Sequence, residues 1–78
     1  MKRKKSEHIP KLDLHGVKHQ SAELMVENFV IFSDRFPIHI ITGHSKEMKD
    51  IVIKVLELHG YKYEIGDFFN KGYINVKS

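Results

Sequence analysis

Two short stretches of the chain place an acid two residues before a histidine and a glycine directly after it. They are Leu12-Asp13-Leu14-His15-Gly16 and Leu56-Glu57-Leu58-His59-Gly60. A carboxylate near an imidazole can fix its tautomer and stabilise its protonated form, as in many general-base sites. A following glycine lets the backbone turn sharply and lets a ligand come close. The same residues also read without chemistry, as surface polar groups on a strand or as ordinary helix-ending residues. A third stretch, Thr42-Gly43-His44-Ser45-Lys46, combines a glycine turn with two hydroxyls, an imidazole and an amine. Directly before a helix, such a turn presents free N–H groups and the positive end of the helix dipole to an anion. A plain strand-to-helix loop with a serine cap has the same composition.

The elements around these stretches decide between the readings. Lys11 to His15 alternate apolar and polar, so Leu12 and Leu14 point one way and Asp13 and His15 the other. From about Gln20 to Phe36 the period lengthens. Ala22, Met25, Val26, Phe29, Val30 and Phe36 recur at helical spacing, and Pro37 closes the helix. Ile38, Ile40 and Ile41 form a β-branched run ending at Thr42-Gly43, the pattern of a buried central strand. Ser45 is a good N-cap for a second helix, with Glu47 in its first turn. Met48, Ile51, Val52, Val55, Leu56 and His59 make its stripe, and Gly60 stops it. Tyr61, Tyr63 and Ile65 predict a third strand and Ile74 and Val76 a fourth, with Gly66 to Gly72 as the hairpin loop.

The order βαβαββ predicts an α/β fold. Two right-handed crossovers moving the same way place both helices on one face. The expectation is a two-layer sandwich: a mixed four-stranded sheet, two helices on one face and a final antiparallel hairpin. Within it the two similar stretches separate. The second ends a periodic helix, where a histidine interacts well with the dipole and a glycine takes positive φ. The first ends a strand that feeds a helix, which is where ligands bind in open α/β sheets. Parallel pairing would bring the Thr42 to Lys46 turn beside it. An imidazole, a carboxylate and an anion cradle in one crevice are the parts of a phosphodiester-cleaving or phosphate-binding site.

Bulk properties fit one domain. The chain has 78 residues, 41% hydrophobic and 29% charged, near the size at which a single core supports a fold. No apolar run is long enough for a membrane span, and the basic N-terminus lacks the apolar stretch of a signal peptide. The absence of cysteine excludes disulfides and thiolate metal sites and fits a reducing cytosol, so the expected location is cytoplasmic. The formal charge is +3, yet Lys2, Arg3, Lys4 and Lys5 carry more than that excess. Without them the balance is about one net negative charge, so the folded part is not a basic domain. The tail either adds phosphate contacts or is simply solvated.

The LDLHG stretch, a helix, a β-branched strand ending Ile40-Ile41-Thr42-Gly43-His44-Ser45, a second helix and a hairpin resemble the small MutS-related (Smr) domain. The resemblance runs from about Leu12 to Val76, leaving residues 1–10 as a flexible basic tail and 11–78 as the domain. In that family a Thr/His-Gly-x-Gly motif follows the second strand. Thr42, Gly43 and His44 match its first three positions, and Ser45 replaces the second glycine. The glycine-rich stretch of the last hairpin is reduced to Asn70-Lys71-Gly72.

The resemblance implies a nucleic-acid-binding domain, often an endonuclease that nicks DNA or cleaves RNA. Asp13 and His15 would inherit the motif needed for cleavage. Thr42, Gly43 and His44 would inherit the loop beside the phosphate, and by their own chemistry Gly16, Ser45 and Lys46 join them as phosphate-binding candidates. Members differ in whether they need a divalent metal such as Mg2+. Cleavage of RNA could use the 2′-hydroxyl as nucleophile, with His15 moving its proton, Asp13 orienting the imidazole and the Gly43 to Lys46 turn stabilising the charge on phosphorus. Phe68, Phe69 or Tyr73 would either stack on bases or pack in the hairpin. Three other readings remain: a binding module without catalysis, a zinc site built from His15, His44 and Asp13, and a protein-interaction domain using the sheet face with His39 and the tyrosines. The expected state is a monomer, with nucleic acid as partner and no membrane.

Overall fold

The computed structural model describes residues 9–66 and 69–78. Its elements are β1 (Lys11–Asp13), α1 (His19–Phe32), β2 (Ile38–Ile41), α2 (Lys46–Leu58), β3 (Tyr63–Ile65) and β4 (Tyr73–Val76). The βαβαββ order and the mixed four-stranded sheet are as the sequence predicts. The strands lie in the order β1-β2-β4-β3. β1 runs parallel to β2, with Leu12 opposite Ile40. β4 runs antiparallel to both neighbours, with Ile74 opposite Ile40 on one side and Ile65 on the other. β2 and β4 are therefore the interior strands. Lys2 to Lys5 and the loop residues Asp67 and Phe68 lie outside the described residues.

Alternation and helical period meet in one core. Ile38, Ile40, Ile74 and Val76 turn the same side of the sheet toward Ala22, Val26 and Val30 of α1 and Met48, Val52, Val55 and Leu56 of α2, all of them buried. Both helices thus cover one face. The other face carries Lys11, Asp13, His39, Ile41, Tyr73 and Asn75 in register. Among the described residues no helix is long and apolar enough to cross a membrane.

Several predicted boundaries move. β1 stops at Asp13, because Leu14 and His15 already belong to the turn into α1. α1 ends at Phe32 rather than Phe36. Ser33 terminates it by donating its hydroxyl to the Phe29 carbonyl and its N–H to the Val30 carbonyl. Phe36 still reaches the core, from the loop, and sets its ring 5.8 Å from that of Tyr61. Tyr61 precedes β3 and donates to the Val30 carbonyl, and Tyr63 packs on the helix side. Of the three tyrosines only Tyr73 shares the open face with His39, their rings 4.5 Å apart.

The end of α2 shows what the second Leu-x-Leu-His-Gly stretch does. Gly60 takes φ of 78° and donates to the Glu57 carbonyl, and Tyr61 donates to that of Leu56. This is the paired C-terminal closure that glycine permits. His59 Nε2 stands 2.9 Å from Glu27 Oε2 and ties α2 to α1. The stretch is a helix end.

Candidate functional site

The first stretch sits elsewhere. Parallel pairing of β1 and β2, with Asp13 opposite Ile41, brings the 14–18 loop and the 42–45 loop out at the same edge of the sheet. Neighbouring strands are about 4.8 Å apart, so the two loops leave the sheet side by side. The helices they feed start together as well: His19 Nδ1 in the first turn of α1 is 3.6 Å from Glu47 Oε1 in the first turn of α2. Two helix N-termini, Asp13, His15 and His44 therefore share one edge.

In the first loop, Leu14 is the anchor. Its side chain is buried, its N–H donates to the Ile41 carbonyl, and its own carbonyl accepts from Val17. With Leu14 held inward, Asp13 and His15 are left exposed on either side of it. Asp13 Oδ1 accepts the main-chain N–H of His15 at 2.9 Å. The carboxylate thus shapes the turn that carries the imidazole, a role sequence spacing alone could not separate from a contact with the ring. Gly16 has φ of 79° and open space around its α-carbon. A side chain there would be strained by the backbone alone.

The second loop is pinned from across the sheet. The N–H groups of Thr42 and Gly43 both donate to the Gly72 carbonyl, at 3.0 and 2.8 Å. The Thr42 hydroxyl, nearly buried, turns back to the carbonyls of Gly43 and Gly72. Gly72 in turn donates to Asn70 Oδ1 at 2.8 Å. The turn read from sequence as an anion cradle thus spends its first two N–H groups on the 69–72 loop. The resembled motif points to Gly72 as part of the last hairpin but not to this contact, whose partners are 29 and 30 positions away.

What remains open to a ligand is the start of α2. The first N–H groups of a helix have no intrahelical acceptor. Ser45 Oγ satisfies that of Met48 at 3.1 Å, which leaves those of Lys46 and Glu47 facing the edge. Ser45 has φ −74° and ψ 118°, ordinary extended backbone. The position therefore does not require the glycine that the resembled motif has there, and the serine supplies the cap. The Lys46 amine is exposed and 3.1 Å from Asp50. His44 is exposed beside it.

The edge can thus present two exposed imidazoles, an amine and helix N–H groups to an anionic chain. It does not fit a resident metal. Among the described residues no three His, Asp or Glu side chains cluster closely enough to hold one, and Asp13 and Glu47 are each engaged by protein partners. Comparison of the chain with protein-family models, with curated proteins and with solved structures finds no match.

Proposed function

We propose that the chain is a nucleic-acid-binding domain of the Smr type that cleaves phosphodiester bonds, RNA being the substrate its residues suit best. The observation that carries this reading is the parallel β1–β2 pair, which sets the Asp13 to Gly16 turn beside the Thr42 to Lys46 turn at two adjoining helix N-termini. The α2 N-terminus and Lys46 hold the scissile phosphate. His15 accepts the 2′-hydroxyl proton as that oxygen bonds to phosphorus. The bond from phosphorus to the 5′-oxygen breaks, and the leaving oxygen takes a proton from water. Asp13 is a positioning residue, holding the His15 backbone. Among the described residues no three such donors cluster as a metal site, and these proton transfers need none.

A binding module without cleavage is the second reading. It is favoured by the commitment of the Thr42 and Gly43 N–H groups to Gly72, which leaves fewer donors for a developing charge. One experiment separates the two: end-labelled single-stranded RNA and supercoiled DNA incubated with wild type and His15→Ala, with magnesium and with EDTA. Cleavage of RNA that persists in EDTA and falls about 100-fold or more in the variant is the expected result. RNA shifted in a gel but never cut selects the binding module. No shift and no product would overturn both.

A further inference from the structure

α1 is apolar on two sides. Ala22, Val26 and Val30 enter the core, and Glu27 turns toward α2 to meet His59. On the side turned away from the buried Val26 and Val30 a second stripe faces water: Leu24 is 61% exposed, Met25 37%, Ile31 51% and Phe32 81%. These side chains are arranged symmetrically about Asn28, which is itself exposed. Met25 and Ile31 lie three residues before and after it, Leu24 and Phe32 four. Positions three and four apart share a helix face, so the stripe reads nearly the same from either end.

We propose that this flank is the contact between two copies of the chain, paired through antiparallel α1 helices about a two-fold axis at Asn28. In a two-fold contact residue i meets j and j meets i. An axis at Asn28 sets Leu24 against Phe32 of the second copy and Met25 against Ile31, a large apolar group on each side of every pair. Asn28 meets its own counterpart at the centre. A carboxamide both donates and accepts, so it satisfies itself across the axis, which a lone serine or carboxylate would do less well. That self-complementarity singles out a second copy over an unrelated partner.

The area agrees. The four side chains present roughly 400 Å² of apolar surface per copy, at the size where exposed patches mark contacts. Two copies bury about twice that from the stripe alone. That is the size of a weak, transient contact, below the range of permanent interfaces. The expected association is therefore weak, with the transition between micromolar and millimolar chain. This inference is independent of the proposed cleavage.

Sedimentation equilibrium of the full chain, from low micromolar to near-millimolar, tests it. Wild type should pass from monomer to dimer over that range. Leu24→Glu and Phe32→Lys should each weaken the dimer about 100-fold, since each buries an unpaired charge twice. Circular dichroism should show both folded, as the positions are exposed. The double variant Leu24→Glu/Phe32→Lys should dimerise again at low salt and lose that dimer as salt rises, because the axis sets the two new charges against each other. A wild type that stays monomeric throughout, single variants that dimerise normally, or a double variant no better than the singles would each overturn the proposal.

Discussion

Gly66 and Gly16 both take positive φ, at 60° and 79°, but they differ in what surrounds them. A β-carbon on Gly66 would strike the Asn70 carbonyl oxygen and lie 2.7 Å from the Lys71 α-carbon. One on Gly16 would meet nothing within 4 Å. Alanine at residue 16 should thus cost only the backbone term, about 1 kcal/mol. Alanine at residue 66 should cost that and a main-chain collision as well, so urea unfolding should rank Gly66→Ala clearly below Gly16→Ala. Tyr63 offers a test by pH. Its hydroxyl donates to Glu57 Oε2 at 2.6 Å, and that bond, with some desolvation and the nearby negative charge, raises its pKa above the usual tyrosine value. A raised value means that the fold favours the neutral phenol. The contribution is complete below the unfolded tyrosine pKa and is lost as pH rises through the folded one. Stability of wild type should therefore fall more steeply in that alkaline window than stability of Tyr63→Phe.

The two helices are secured differently, and this governs how much of each could be read from sequence. α2 carries its own signals: a Ser45 cap, Glu47 in the first turn and a glycine closure at Gly60. α1 begins at Lys18 with no side-chain cap, has no acid in its first turn and no base in its last. Ser45→Ala should cost about 1 kcal/mol by thermal or urea unfolding, and Lys18→Asp should gain up to about 1 kcal/mol. The strong stripe of α2 made its residues legible. In α1 the apolar side chains run round the helix, so the predicted stripe joined the buried Ala22, Val26 and Val30 to Met25, which faces water, and to Phe36, which reaches the core from the loop beyond the helix. The alternation in the strands told which residues share a face but not which strands are neighbours. The insertion of β4 between β2 and β3 could not be read, nor could the Gly72 contact that follows from it. At the site, Asp13 and His15 do lie on the exposed side of Leu14, as alternation requires. The hydrogen bond from the His15 main chain to Asp13 depends on where the strand stops, and spacing does not give that.

At the scale of the molecule, sheet order makes the C-terminal strand β4 a partner of both β2 and β3. β3 pairs with β4 and not with β2, so among the described residues its one sheet neighbour is the strand that follows it. Removal of residues 73–78 should strip the sheet of an interior strand, remove Ile74 and Val76 from the core and unpin the Thr42 turn from Gly72. The expected product has no cooperative unfolding transition by circular dichroism. A truncated chain that still melted in one sharp step would show that β1, β2 and the helices suffice.

That interior strand, made after both of its neighbours, also sets an order of events in biosynthesis. A chain emerging from a ribosome offers β1, both helices, β2 and β3 before the strand that joins them has been translated. The βαβ part can begin to collapse, but β3 must wait for β4. Until β4 is made, β2 keeps on that side a row of unpaired main-chain N–H and C=O groups, the kind of edge that pairs with other chains. A chain cut short before residue 73 would carry the whole candidate crevice and no completed sheet to hold it.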